Sequence, residues 1–368
     1  MTNSNVSLDD KYSIESGRIF VTGVQALARI PMVQRQRDVL EGLNTAGFIS
    51  GYRGSPVGGF DQQLWRAKKF LEQNHIRFQP GLNEDLAASA IWGSQQTNLH
   101  EGGKYDGVFA IWYGKGPGVD RCGDVFKHGN MSGPATHGGV LLIAGDDHAA
   151  KSSTVPHQSE YAFMDASIPV LNPAGVQDIV DYGILGFAMS RFSGCWVAFK
   201  TTAENMDSSA SIDVSPDRVK ISLPKFDMPE DGLSIRWPDD WIEQEHRLHQ
   251  YKLNAVRAFA RQNKIDKTII NSQNPKLGVV TTGKSYLDVR QALEDLGINE
   301  AKADKIGLRL YKVGMPWPLE PQGIDEFSQG LKEILVIEEK RPIIESQLKE
   351  HLYNNSPENL SLIHISEP

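Results

Sequence analysis

Between residues 47 and 121 the chain repeatedly brings an apolar stretch to a glycine-rich turn, and this restricts its possible folds more than any other feature. Gly47-Phe48-Ile49-Ser50 leads into Gly51-Tyr52-Arg53-Gly54-Ser55-Pro56-Val57-Gly58-Gly59. Pro80-Gly81 precedes the Ala-rich run 86–93, and Gly107–Tyr113 empties into Gly114-Lys115-Gly116-Pro117-Gly118-Val119-Asp120-Arg121. Strand, tight turn and helix in succession form the βα unit, which places ligands at the carboxyl edge of a parallel sheet. The chain therefore reads as α/β with an open parallel sheet and right-handed crossovers, and the clustered turns read as a site.

One acid stands out in this frame. Asn83 can cap the first free amides of a helix that starts at Glu84, which puts Glu84 and Asp85 in its first turn, where the helix dipole favours negative charge. Spacing alone leaves two readings open: both acids decorate a helix start, or one faces the crevice between the turns. Other candidates have alternatives of the same kind. Ser55 either contacts a substrate or cofactor or caps a helix starting near Phe60. Arg121 either clamps a carboxylate or pairs with Asp120 or Asp124, and Lys115 is a second anion contact.

Further strands are expected at 138–145, 169–173 and 195–200, with a helix from Ala174 to Arg191. A helix is expected after Pro31, with Pro31 in its first turn and Arg29, Arg35 and Arg37 on a basic outer face. Residues 201–238 break periodicity, with an edge strand at 218–223. The stretch 239–264 reads as a charged helix burying Trp241, His249, Leu253, Val256 and Phe259. A second α/β unit follows, with strands at 277–281, 308–312 and 333–338 and helices at 285–296, 323–329 and 343–352.

Within that second unit Gly278-x-x-x-x-Gly283-Lys284-Ser285 matches a phosphate-binding loop, and Ile334–Glu339 imitates the acidic strand that accompanies one. Gly278 lies inside the strand, so only Thr282-Gly283-Lys284 remain as loop, too few to wrap a triphosphate. A nucleotide-binding module using Gly283, Lys284 and Ser285 is nevertheless kept as the alternative function, together with a non-catalytic scaffold. His128, His137, His148 and His157 with Asp146 and Asp147 fit no metal-ligand spacing, so no metal is expected. His148 and His157 are better placed to touch substrate or move protons.

Composition narrows the function classes. A net charge of −8 argues against nucleic-acid or anionic-membrane surfaces. The cysteines, Cys122 and Cys195, show no paired spacing, which suits a reducing compartment and rules out a cluster or zinc knuckle held by these residues alone. Cys195 is expected to be a buried apolar residue. No apolar run approaches the roughly 18 residues of a membrane helix, and the polar start is not a secretory signal. A cytoplasmic protein is expected.

The blocks GYRGSPVGGFDQQL, PGLNEDLAASAIWGSQQ, IWYGKGPGVDRCGDVFKHGN, GDDHAAKSSTVPHQSEYAFMDASIPVLNPAGVQDIVDYG and SRFSGCWVAFK resemble the large indolepyruvate ferredoxin oxidoreductases. These are thiamine-diphosphate-dependent 2-oxoacid oxidoreductases, and the likeness runs from about Gly17 to about Tyr353. The resemblance implies a pyrimidine-type thiamine-diphosphate-binding domain at 17–200, a connector at 201–270 and a transketolase C-terminal-like α/β domain at 271–354. Residues 1–16 are expected to be loose. The tail 355–368 resembles adapter read-through and is set aside.

For Glu84 the resemblance implies a hydrogen bond to the N1′ ring nitrogen of the cofactor's aminopyrimidine, with Gly54 and Ser55 as further cofactor contacts. Ser55, Arg121, His148 and His157 become candidate substrate contacts. The Gly-Asp-Gly…Asn motif that grips diphosphate and Mg²⁺ does not occur, nor does a multi-cysteine cluster motif. The resemblance thus implies the front end of a longer enzyme, inactive alone, with Mg²⁺ and [4Fe-4S] clusters in its other domains. Coenzyme A is the implied co-substrate, ferredoxin the implied electron acceptor, and a homo-oligomer the implied assembly.

Overall fold

A computed structural model describes residues 7–152, 154–353 and 360–367. Along the chain the strands are β1 (Arg18–Thr22), β2 (Ala46–Gly51), β3 (Ile76–Phe78), β4 (Val108–Lys115), β5 (Val140–Gly145), β6 (Val170–Leu171), β7 (Val197–Thr201), β8 (Ser209–Asp213), β9 (Lys267–Ile270), β10 (Leu277–Thr282), β11 (Leu308–Val313), β12 (Glu333–Glu339) and β13 (Ser361–Glu367). Six of them form an all-parallel sheet in the order β3-β2-β4-β5-β7-β6. A second, five-stranded sheet has the order β13-β12-β10-β11-β9, with β9 antiparallel to β11.

The first sheet is buried on both faces, which explains its continuous apolar strands. Phe109, Ile111 and Tyr113 of β4 and Leu141 and Ile143 of β5 face one core, with the helices Gly23–Leu40 and Val176–Ser193. Ala110, Trp112, Val140, Leu142 and Ala144 face the other, against the helices Glu84–Gln95 and Gly123–Ser132. This is the alternation of period two that parallel strands impose. Gly183 brings the two helices of the first face into close contact, because a Cβ there would lie 2.7 Å from Ile30.

The sheets meet at the β6 edge, where Val170 N–H donates to Trp317 O at 2.7 Å and Asn172 N–H to Gly314 O at 2.9 Å. Lys312 adds an ion pair to Asp178 and sits over the rings of Tyr182 and Tyr286. Among the described residues, no helix is long and apolar enough to cross a membrane.

Several sequence expectations need correction. The helix expected to begin near Pro31 begins at Gly23, fixed by a reciprocal Thr22–Gln25 capping box, and carries Pro31 inside it. Its arginines are not an outer basic face. Arg29 is fully buried and donates to the carbonyls of Tyr12 and Ile14, and Arg35 is buried against Leu43 O. Of the segment expected to be loose, residues 1–6 lie outside the described residues, whereas Asp10–Ser13 is helical with Tyr12 buried.

No strand forms at 218–223; the strand of this region is β8, paired antiparallel with β1. A π-turn at Leu248–Lys252 shifts the phase of the connector helix, so Leu248 is buried while Trp241 is 75% exposed and His249 faces outward. Residues 361–367, set aside above, run parallel to β12 as an edge strand. Their Leu-Ile-His-Ile run has β propensity, but no periodic neighbour in the sequence pointed to a partner.

Candidate functional site

Between β2 and β4 the strand order reverses direction, because the chain leaves β2 for β3 on one side and returns to β4 on the other. A crevice opens at the carboxyl ends of the strands at such a point. Glycines let the surrounding turns close on one another. A Cβ on Gly54 would lie 2.8 Å from Lys115 Cδ, and one on Gly145 would lie 2.9 Å from Pro56 Cδ. Gly81 N–H donates to Gly51 O at 2.9 Å and ties the turn after β3 to the end of β2.

That last turn delivers Glu84. Asn83 accepts the Leu86 N–H through its side chain at 2.8 Å and starts the helix at Glu84, as its sequence predicts. Trp112 Nε1 in β4 donates to Glu84 O at 3.2 Å and fixes the helix end against the sheet. The Glu84 side chain is 12% exposed, and its nearest cation is Arg121 Nη1 at 3.9 Å. Among the described residues its carboxylate accepts no hydrogen bond. Gly118 makes room for it, since a Cβ there would lie 2.7 Å from Glu84 Cγ. The result is an enclosed carboxylate with unused acceptor capacity.

Arg121 pairs with neither Asp120 nor Asp124. Its Nε donates to Asp85 at 2.8 Å, and its side chain is 51% exposed at the mouth. The Asp85 hydrogen bond, followed by that carboxylate's charge, raises the Arg121 pKa. Ser55 is exposed, caps no helix, and makes no hydrogen bond to the described residues. Gly54 lies directly over Lys115.

His157 comes from the loop after β5 and packs on the β4 turn, where a Cβ on Gly116 would fall 2.1 Å from its ring. Both ring nitrogens are engaged: Nε2 with Asp120 at 2.8 Å, Nδ1 near Asp146 at 3.5 Å. The hydrogen bond to Asp146 outweighs burial and, with Asp120 adding to it, lifts the His157 pKa to about 9, so the ring is an imidazolium at neutral pH. Asp146 is fully buried. Burial would raise its pKa, yet His157, Lys200 and two hydrogen bonds from Ser159 together hold it below the usual carboxylate range. Lys200, buried at the end of β7, is bound to Glu160.

His148 lies apart from this cluster and pairs through Nδ1 with Glu339 at the end of β12, at 3.2 Å. The structure thus gathers Gly54, Ser55, Glu84 and Arg121 around the β2–β4 turns and His157 beside them, and sends His148 to the seam between the sheets. Sequence reasoning missed Lys200, Glu160 and Glu339. The detectable signal was a lysine closing a buried apolar strand, a position only a buried carboxylate makes tolerable. Cys195 is buried, its thiol pushed up to about 11 by desolvation, which suits packing rather than nucleophilic work. Among the described residues, no group of three or more His, Cys, Asp or Glu side chains is arranged to hold a metal.

The phosphate-loop imitation has no loop. β10 ends at Thr282 and the helix Gly283–Asp295 begins at the next residue. A Cβ on Gly283 would meet the Asn172 amide at 2.5 Å, so the first unit covers this helix start.

The family model for the indolepyruvate oxidoreductase domain matches residues 267–362. The IorA indolepyruvate oxidoreductase subunit of Pyrococcus horikoshii is 24% identical over 92% of this chain and 48% of its own length. That of Pyrococcus abyssi is 26% identical over 90% and 47%, respectively. The chain therefore spans about half the length of the curated relatives it matches. Among solved structures, the 2-oxoglutarate:ferredoxin oxidoreductase of Magnetococcus marinus aligns with a TM-score of 0.66 at 15% identity, over 95% of this chain and 62% of that one. A split-gene transketolase aligns with a TM-score of 0.54 at 11% identity, over 93% and 88%. These two likenesses establish the fold: a thiamine-diphosphate-binding type of α/β architecture followed by a smaller transketolase C-terminal-like unit. Over nearly all of its residues, this chain is similar in sequence to the IorA subunits of indolepyruvate oxidoreductase.

Proposed function

We propose that this chain supplies the pyrimidine half of the thiamine diphosphate site in an oxidoreductase that converts an aryl or branched, indolepyruvate-like 2-oxoacid to its acyl-CoA and reduces ferredoxin. The carrying observation is Glu84, an enclosed carboxylate with no hydrogen bond from the described residues, beside the strand-order reversal of a parallel sheet. Those properties fit the group. An aminopyrimidine edge needs a carboxyl able to share a proton with a ring nitrogen where water is scarce, and Gly118 leaves the carboxyl free of steric crowding. When bound, the cofactor supplies the electron sink for decarboxylation.

Other residues have supporting roles. The Ser55 hydroxyl is free to meet a substrate carboxylate or the cofactor edge, with Gly54 allowing close approach. Arg121, exposed at the mouth, draws the anionic 2-oxoacid inward. His157, held as an imidazolium, adds positive charge to the same edge. The diphosphate grip, Mg²⁺, [4Fe-4S] clusters and coenzyme A site fall to the remaining domains, in keeping with relatives about twice as long. The complete enzyme is expected to be cytoplasmic and homo-oligomeric.

Replacing Glu84 by Gln in the complete enzyme tests the reading. Turnover is expected to drop by roughly 10²–10⁴-fold, the usual scale for losing a proton-transfer group. Unchanged turnover would assign the chain to a scaffold role instead.

A further inference from the structure

The acidic end of β12 and Lys284 bind no nucleotide loop, yet they are not idle. Glu338 turns back to accept the N–H groups of Ile343, Ile344 and Glu345 and caps the helix Ile344–Leu352. Glu339 points the other way, across the seam. Its Oε2 lies 3.2 Å from His148 Nδ1 and its Oε1 lies 4.0 Å from Lys284 Nζ, with its side chain only 16% exposed. Burial opposes its charge, but His148, Lys200 and Lys284 prevail and keep Glu339 below the usual carboxylate range.

His148 stands at the carboxyl edge of the first sheet, three residues beyond the end of β5. Its side chain is 13% exposed, and its Nε2 is buried with no hydrogen-bond partner among the described residues. A buried ring nitrogen without a partner has lost its water and gained nothing in exchange. A carboxylate bound to one imidazole nitrogen selects the tautomer with the proton on that nitrogen and leaves the other as the ligand-facing atom.

We propose that Glu339 is a positioning residue through which the second unit sets the ring of His148, keeping the proton on Nδ1 and presenting Nε2 as a hydrogen-bond acceptor to an N–H donor of the substrate, such as the indole N–H of an indolepyruvate-like 2-oxoacid. This rests on the functional reading above for the identity of the ligand, but not for the coupling between Glu339 and His148. The acidic residue that imitates a nucleotide motif thereby makes the second unit part of the substrate site. Around the pair, Lys284 and Lys200 share the Glu339 charge, while Glu160 and Asp146 balance Lys200.

The test is nitrogen-15 NMR of the histidine rings in the 368-residue chain at pH 8, for wild type, Glu339→Ala, Glu339→Gln and Lys284→Ala. Wild type is expected to carry the His148 proton on Nδ1. Glu339→Ala should shift the ring toward the Nε2–H tautomer, Glu339→Gln should restore Nδ1–H through its amide oxygen, and Lys284→Ala should leave the tautomer unchanged. In the complete enzyme, Glu339→Ala should raise KM for indolepyruvate about tenfold, with a smaller change in kcat. The same Nδ1 protonation in Glu339→Ala as in wild type, or loss of it in Lys284→Ala, would overturn the proposal. A Glu84→Gln enzyme with full activity would sink the functional reading while leaving the NMR outcome intact.

Discussion

The two sheets are built from the same strand–turn–helix repeat, yet their carboxyl edges differ in what the turns contain. In the first unit the turns after β2, β3 and β4 carry exposed or half-buried polar groups, and the enclosed Glu84 lies between them. In the second unit β10 passes directly into its helix, as β4 does into the helix Gly116–Arg121, but here Asn172 of the first unit covers the start of the helix. A βα unit becomes a site only where its turn leaves backbone and side-chain groups unpaired; where the helix start is covered, the same unit becomes a docking surface.

The largest expected break in this contrast comes from crowding the open edge. Gly118→Ala would put a Cβ 2.7 Å from Glu84 Cγ and displace the carboxylate. In the complete enzyme we expect a loss of roughly 10²-fold in turnover, because small misplacements of a catalytic group are costly. Unfolding by urea should show a far smaller change, which separates displacement of the side chain from general damage.

The next effect is on stability. The pKa of His157 is raised by folding to about 9, so its stabilisation is present in full below the unfolded value of about 6.5 and is lost as pH rises through 9. His157→Gln should therefore cost up to about 3 kcal/mol at pH 6, and progressively less toward pH 10, in urea unfolding series. An equal cost at every pH would contradict the imidazolium between Asp120 and Asp146.

A smaller and opposite effect belongs to the closed edge. Asp266 accepts the N–H groups of Gly314 and Met315 at 2.7 and 2.9 Å, and burial lifts its pKa to about 7 despite those bonds. Its raised value means that the neutral form is favoured on folding. That contribution is full below the unfolded carboxylate range and fades as pH rises through 7. Asp266→Asn keeps an acceptor without the charge, and should stabilise the fold by about 1 kcal/mol at pH 8 and by almost nothing at pH 5.

Much of this was legible in the sequence, for reasons that differ by element. The helix start at Glu84 was legible because the Asn83 cap and the Ala-rich run are local signals that packing did not override. Strands β2, β4 to β7 and β10 to β12 followed from apolar runs, whereas the edge strands β3, β9 and β13 were not read from the sequence. The clasp on His157 was not legible, since Asp120 and Asp146 arrive from different turns and only the sheet order brings them together. Arg29 was misplaced because a guanidinium satisfied by the Tyr12 and Ile14 carbonyls can be buried, whereas periodicity assumes that charge faces water. Glu339 was visible only as part of a misleading motif; its partner His148 lies in the other unit.

The central claim is that Glu84 meets the pyrimidine ring. Its most direct test is a structure of the complete enzyme with thiamine diphosphate bound. The account predicts a Glu84 carboxylate oxygen within about 2.6–3.2 Å of N1′, with Arg121 still on Asp85. A ring bound elsewhere, with Glu84 drawn fully onto Arg121, would contradict it.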